Sequence, residues 1–140
     1  MHFSIFLIIF YIINFSFLPA QIISHTEIYD NGNIKSISYH QKVGNAIKKI
    51  KHEEFFDNGN KYISGSFKNG EKSGVWIEWN EKGERVSKGN YKNGKRDGFW
   101  EGWHSNGTIQ GEVTWLNGKE NGLWVLWYEN GKKMREVHWQ

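Results

Sequence analysis

Short runs of aromatic and β-branched residues alternate with polar, glycine-containing segments along most of this chain. In three successive segments, one such run is followed by a second one. The leading runs are VWIEWN (75–80), FWEGWH (99–104) and LWVLWY (123–128), and the runs that follow them are RVSKGNYK (85–92), IQGEVTWL (109–116) and KMREVHW (133–139). Runs of this kind are typical of β-strands. The pattern therefore predicts an all-β chain of consecutive antiparallel hairpins.

Tryptophan and glycine recur along these runs with a period of 24 residues. One tryptophan series is Trp76, Trp100 and Trp124, and a second is Trp79, Trp103 and Trp127. A repeat of this regularity is the signature of a repeat protein. Most of these residues are therefore expected to serve the architecture, and the structural repeat positions are Gly74, Gly98, Gly122, Trp76, Trp100 and Trp124.

Glycine-containing turns predict how the strands pair. Lys82-Gly83, Asn106-Gly107 and Asn130-Gly131 separate the two runs of each hairpin. We expect two-residue turns there, with positive φ at both residues. Longer segments then link one hairpin to the next, namely NGEKSG (69–74), NGKRDG (93–98) and NGKENG (117–122). This register places Trp76 opposite Gly89, Trp100 opposite Val113 and Trp124 opposite Val137.

Aromatic residues are expected on both faces of such a sheet, because side chains alternate along a strand. One face carries Trp76, Trp100, Trp124, Tyr91, Trp115 and Trp139. The opposite face carries the row Phe55, Trp79, Trp103 and Trp127. A single layer without a covering helix cannot bury both faces against itself. We therefore take the row Phe55, Trp79, Trp103 and Trp127 as the candidate partner-binding residues.

The ends of the chain differ from the repeats. Residues 1–20 contain the apolar run FSIFLIIFYIINFSFL (3–18) followed by Pro19-Ala20, which is typical of a signal peptide or of a retained anchor. Export to the periplasm, the cell surface or the medium is therefore expected. Residues 21–52 are a degenerate N-terminal repeat with an insertion, since the step from Gly32 to Gly59 is 27 residues. Residues 53–140 contain the hairpin repeats.

The amino-acid composition and the spacing of reactive residues argue against catalysis and metal binding. The chain has no cysteine, which excludes disulfides and thiol nucleophiles, and its six histidines show no metal-ligand spacing. Neither a catalytic constellation nor a phosphate loop is evident, so we predict no enzyme, no cofactor and no metal. The net charge of +3 is small and mixed in sign, which predicts no nucleic-acid partner. Membrane contact is expected only through the N-terminus or Lys48, Lys49 and Lys51.

Three segments resemble the MORN repeat family through the frame G-x-[Y/W]-x-N-G-K-x-x-G-x-W. They are GNYKNGKRDGFW (89–100), GSFKNGEKSGVW (65–76) and VTWLNGKENGLW (113–124), where Val113 replaces the first glycine. The period and the N-terminal segment resemble the bacterial variant, whose members are often labelled antitoxin components of toxin–antitoxin systems. The resemblance implies an elongated single-layer antiparallel sheet of consecutive β-hairpin repeats and a scaffold or binding role.

The predicted function is a non-enzymatic exported scaffold that holds a protein partner, such as a toxin, on an aromatic face. A cell-wall glycan-binding module built of aromatic repeats is the alternative. The last strand, KMREVHW (133–139), has no further repeat beside it in the sequence. An open strand edge invites pairing with another chain, so an edge-to-edge homodimer is a third expectation.

Overall fold

The computed structural model describes residues 21–139, and the predicted signal segment lies outside this range. Ten strands form one open antiparallel sheet in chain order. They are β1 (Ile22–Ile28), β2 (Ile34–Val43), β3 (Ala46–Phe55), β4 (Lys61–Lys68), β5 (Glu71–Trp79), β6 (Arg85–Lys92), β7 (Lys95–Trp103), β8 (Ile109–Leu116), β9 (Lys119–Trp127) and β10 (Lys133–Trp139). The described residues contain no helix, and the predicted all-β sheet of consecutive hairpins is confirmed.

The prediction of two-residue turns between the two runs of each hairpin is wrong. In the β5–β6 loop the Asn80 N–H donates to the Glu84 carbonyl, and Gly83 alone has positive φ (82°). This is a three-residue loop closed by a left-handed glycine. The tight two-residue turns lie instead inside the predicted links, where Asn69 and Gly70 both have positive φ (54° and 85°). Strands β5, β7 and β9 therefore begin four residues earlier than the aromatic runs.

The predicted pairing is nevertheless confirmed. Trp76 pairs with Gly89, Trp100 with Val113 and Trp124 with Val137. The longer loop shifts the register by one residue, and a β-bulge between Glu78 and Trp79 shifts it back. Beyond the first residue pair of each hairpin, the pairing is therefore the same as a two-residue turn would give.

The β2–β3 hairpin explains the one repeat step that is longer than 24 residues. Strands β2 and β3 have 10 residues each, whereas β4 and β5 have 8 and 9. The three additional residues account for the 27-residue step between Gly32 and Gly59. The predicted boundary between residues 52 and 53 falls inside β3, which pairs with strands on both of its sides.

The alternation of side chains along the paired strands defines two faces. We call them the Trp76 face and the Trp79 face, after one β5 residue on each. Hydrophobic burial is sparse: within residues 21–139 the buried apolar side chains are Trp76, Trp100 and Val125. This is the expected consequence of a single layer, in which no second sheet or helix covers either face.

Glycine is required where the indole rings lie on the neighbouring strand. The Trp76 ring covers Gly65 of β4, and the Trp100 ring covers Gly89 of β6, so that a Cβ atom at either glycine would overlap the ring. Each indole N–H also donates to a backbone carbonyl of the covered strand, Trp76 to Ser66 at 3.1 Å and Trp100 to Asn90 at 3.0 Å. The two rings are only 4% and 6% exposed.

An aromatic ladder connects these rings across four strands. Phe67, Trp76, Tyr91 and Trp100 meet edge to face, with successive ring centroids 5.4, 5.9 and 5.2 Å apart. Lys72 covers the outer side of Trp76 with its ammonium group 4.0 Å from the ring centroid. Edge-to-face pairs and cations above aromatic rings are both attractive. The ladder therefore replaces part of the core that a second layer would supply.

The ladder weakens where the glycine is missing. Val113 occupies the position of Gly65 and Gly89 opposite Trp124. Trp124 is accordingly only half-buried, whereas Trp76 and Trp100 are buried. A β-branched side chain at this position prevents the ring from lying flat on the strand.

We expect Gly89→Ala to lower the free energy of unfolding by about 1–3 kcal/mol, because the new methyl group displaces the Trp100 ring. In a Trp100→Ala background the same substitution should cost much less, since no ring remains to be displaced. Urea unfolding of the four proteins of this double-mutant cycle tests the contact. Equal costs in both backgrounds would contradict the role assigned to the ring.

We expect Gly98→Val to destabilise by a different cause. Gly98 has φ of 79° inside β7, and no atom lies within 4 Å of a Cβ atom added there. The cost, on the order of 1–3 kcal/mol, comes from backbone strain alone. Lys95→Ala, on the same strand, should cost about 0.5 kcal/mol or less. Matching urea midpoints for the two variants would show that Gly98 needs no left-handed backbone.

Candidate functional site

The predicted aromatic row lies on the Trp79 face, close to the three-residue loops. Phe55, Trp79, Trp103 and Trp127 end their strands, and all four are half-buried. Cationic side chains cover part of the row: the Lys61 ammonium lies 5.8 Å from the Phe55 ring and 5.7 Å from the Trp79 ring. The Arg85 guanidinium lies 4.9 Å from the Trp103 ring. The row is therefore a mixed cationic and aromatic surface.

A buried carboxylate fixes the first of these cations. Glu53 is 6% exposed, and its carboxylate receives bonds from Lys61 at 2.6 Å, Tyr39 at 2.9 Å and Lys51 at 3.3 Å. Burial alone would raise the pKa of Glu53, but the hydrogen bonds from Lys61, Tyr39 and Lys51 outweigh it and lower this pKa to about 2. The hydrogen bond to Glu53 in turn raises the pKa of Tyr39. Glu53 thus holds Lys61 between Phe55 and Trp79.

A strip of exposed apolar side chains runs beside the row on the same face. Its members are Val75, Phe99 and Leu123, which are 51%, 52% and 43% exposed. They follow the 24-residue period, so each lies two strands from the next. We call these three residues the exposed strip. The sequence places these three residues on this face. Their exposure becomes evident only in the structure, because the sequence does not show whether other side chains cover them.

The Trp76 face contains a hollow that the sequence reasoning missed. Gly102 and Gly111 pair across β7 and β8, and together they form its floor. The hollow has a volume of about 320 Å³ and is bordered by Trp100, Trp124 and Leu126. Trp127 is the one member of the predicted row that borders it. A comparison of equivalent positions in successive repeats would have revealed the two glycines.

Polar side chains fill the equivalent space one repeat earlier. Glu78 and Ser87 stand at the positions of Gly102 and Gly111, and the Ser87 hydroxyl donates to the Glu78 carboxylate at 3.1 Å. Replacing this pair by two glycines removes both side chains. A Cβ atom added at Gly102 would meet its nearest neighbouring atom at 3.7 Å, whereas one added at Gly111 would meet Leu126 Cδ2 at 2.9 Å. The space is therefore open above Gly102, and the Leu126 side chain fills it above Gly111.

A second hollow of about 580 Å³ lies on the Trp76 face near the N-terminal strands. Here His52 replaces the repeat tryptophan, and its ring nitrogens contact Ser38 Oγ and Glu54 Oε1, each at 2.9 Å. The order resembles a hydrolytic triad. Ser38, however, lies inside β2, where both neighbouring strands use the backbone N–H groups that an oxyanion would need. We therefore interpret the hydrogen-bonded series Ser38–His52–Glu54 as a structural substitute for the tryptophan–glycine contact.

Lys49 and Lys51, two of the lysines that were expected to contact a membrane, do not lie in one basic patch. The Lys49 ammonium lies 4.7 Å from the Phe67 ring on the Trp76 face, whereas Lys51 binds Glu53 on the Trp79 face. No helix within residues 21–139 could span a membrane. In the same residues, no three histidine or carboxylate side chains come close enough to share a metal ion.

Comparison with known proteins identifies the repeat type. Residues 72–93 and 120–140 match the family described as MORN repeat variant. These segments correspond to the β5–β6 and β9–β10 hairpins, and the MORN resemblance is confirmed for them. The β7–β8 hairpin, which contributes Gly102 and Gly111, lies between the two matched segments.

No curated protein matches the chain. Among solved structures, one protein of unknown function from Bacteroides fragilis NCTC 9343 is similar over 86% of this chain and 93% of its own chain. The identity is 9% and the TM-score is 0.27.

We expect Glu53→Gln to destabilise the protein in a pH-dependent manner. Because the folded pKa of Glu53 is depressed to about 2, the ion pairs contribute stability above the ordinary carboxyl pKa and lose it as the pH falls toward 2. The variant should lose on the order of 2–3 kcal/mol at neutral pH, and less than half of that difference should remain near about pH 2.5.

Urea midpoints at neutral and acidic pH measure this dependence. Glu112→Gln is the matched control, since Glu112 is a half-buried glutamate of the same face and belongs to none of the ion pairs found in residues 21–139. It should not destabilise the protein at neutral pH, because Glu112 lies opposite Glu101 and its neutralisation relieves a like-charge contact. A Glu53→Gln penalty that is the same at both pH values would refute the assigned ion pairs.

Proposed function

We propose that this protein is an exported, non-enzymatic binding scaffold that holds a protein partner on the Trp79 face. The exposed strip carries this proposal. Val75, Phe99 and Leu123 are half-exposed or nearly so, although each is apolar. Asn90 and Thr114 lie between them on the intervening strands. Exposed apolar side chains grouped on one face are typical of interaction sites.

The aromatic row supplies anchors beside the strip. Trp79, Trp103 and Trp127 are two strands apart, a separation of about 9.6 Å. Tryptophan is among the residues that contribute most to protein interfaces, particularly where its ring is partly desolvated before binding. Lys61 and Arg85, stacked on these rings, add positive charge. The surface therefore suits a protein with apolar contacts and an acidic rim.

The MORN repeat match supports a binding role, since such repeats present a regular surface and no fixed chemistry. A toxin is the class of partner that the resemblance to the bacterial variant suggests. Export rests on the N-terminal apolar segment, residues 3–18.

The test is capture of exported proteins by the immobilised chain, followed by measurement with the purified partner. Phe99→Glu and Leu123→Glu should each weaken binding by about tenfold or more, because a charge then opposes an apolar contact. Ile47→Glu is the matched control: Ile47 is 63% exposed and lies on the Trp76 face.

Equal binding by all three variants would exclude the exposed strip as the contact surface. Co-sedimentation with purified cell-wall glycan forms a second arm. Retention on glycan that Phe99→Glu abolishes, without any captured protein, would support the glycan-binding alternative instead.

A further inference from the structure

The hollow above Gly102 and Gly111 interrupts an acidic row on the Trp76 face. The positions equivalent to Gly102 in the earlier repeats are Glu27, Glu54 and Glu78. Each of these carboxylates accepts a bond on this face: Glu27 from Ser36 at 3.3 Å, Glu54 from His52 at 2.9 Å and Glu78 from Ser87 at 3.1 Å. In the fourth repeat the carboxylate is missing, and the hollow takes its place.

The cation of the same repeat is retained. Arg96 is the repeat equivalent of Lys72, and its guanidinium borders the hollow. It lies 4.3 Å from the Trp100 ring and 5.0 Å from the Trp115 ring. None of the ion pairs within residues 21–139 involves Arg96. The Arg96 end of the hollow is therefore positively charged and forms no ion pair within the described residues, as is also true of Lys72, and Glu101 borders the same hollow.

The middle of the hollow is apolar. Val113 lies between the strands that carry Trp100 and Trp124, and Leu126 and Met134 border the far side. The strands of the two tryptophans are separated by one strand, so they lie about 9.6 Å apart. Val113 pairs with both tryptophans and occupies the middle of this gap, so the free space lies further along the strands, above Gly102.

The polar residues that border the hollow are Ser87, Arg96, Glu101, His104 and Gln110. Arg96 stands at one end, and the Gln110 side chain borders the floor near Gly102. His104, which also borders the hollow, is already bonded to the Trp127 carbonyl at 2.9 Å. Ligand sites of proteins commonly combine an apolar wall with a small number of orienting polar groups.

We propose that this hollow binds a small organic acid with a flat apolar body, whose carboxylate pairs with Arg96 and whose ring lies above Gly102, beside Trp100 and Trp124. The ring of the ligand would fill the space above Gly102 that the Glu78 side chain occupies one repeat earlier, and its carboxylate would give Arg96 an anionic partner. Arginine is suited to this task because its planar guanidinium binds a carboxylate with two hydrogen bonds. The site lies on the face opposite the exposed strip.

Titration calorimetry with indole-3-acetate and its neutral analogue indole-3-acetamide tests the proposal. The purified protein should bind the acid about tenfold or more tightly than the amide, because only the acid forms the charged pair. Arg96→Gln should abolish that preference while weak binding of both probes remains.

Gly102→Leu tests the cavity itself. Gly102 has no left-handed backbone and meets nothing closer than 3.7 Å, and the equivalent residue of the next repeat is Leu126, so the variant should fold. It should weaken both probes by about tenfold or more, because the leucine side chain occupies the site of the ring. Leu116→Ala is the control, because Leu116 is exposed and does not border the hollow, and it should leave the affinity ratio of the two probes unchanged.

Three outcomes would overturn the proposal. The first is equal affinity of the wild-type protein for the acid and the amide, or no binding of either probe. The second is unaltered binding of the acid by a folded Gly102→Leu variant. The third is tighter binding of a neutral N-acetylglucosamine oligomer than of the acid, lost in Gly102→Leu, which would make the hollow a sugar site. None of these outcomes depends on the exposed strip, so they leave the proposed partner surface untouched.

Discussion

The contact between a tryptophan ring and the glycine backbone of the preceding strand is the constraint on which this sheet depends. A single layer has no facing layer to bury its side chains, so burial must be achieved within the layer. Trp76 and Trp100 achieve it by lying flat on Gly65 and Gly89, where a side chain would exclude the ring. Each ring thereby ties a strand to the one before it, beyond the hydrogen bonds of the backbone. The 24-residue period keeps tryptophan and glycine in register in these two hairpins, whereas Trp124, which faces Val113, keeps the period without the glycine and is only half-buried.

The sequence predicted this architecture well because two independent signals agree. The tryptophan period gives the strand spacing, and the glycine period gives the turns, so an error in one is corrected by the other. The loop around Gly83 shows the limit. An Asn-Gly or Lys-Gly pair fits both a two-residue turn and a three-residue loop closed by a left-handed glycine. The choice between them depends on the bulge beside Trp79, which is a property of strand twist and has no residue signature.

The candidate sites were less accessible to prediction for a physical reason. Alternation assigns a residue to a face but says nothing about what covers it. Trp76 and Trp79 look alike in the sequence, yet the first is buried on a glycine and the second is half-covered by Lys61. Lys61 in turn owes its position to Glu53, a residue that the sequence presents as an ordinary strand glutamate. Exposure in a single-layer sheet is decided by such cross-strand contacts and only weakly by hydrophobicity.

The two faces differ in how they can carry function. On the Trp76 face, regular repeats fill the surface with the aromatic ladder, so space opens only where a repeat departs from the pattern. His52 and the Gly102–Gly111 pair are two such departures, and a hollow lies at each. On the Trp79 face the reverse holds: Val75, Phe99 and Leu123 stay exposed because the pattern is kept. Local departures from a consistent design tend to mark functional positions. The small ligand proposed above would occupy an irregularity of one face, whereas the proposed protein partner would lie on the regular surface of the other.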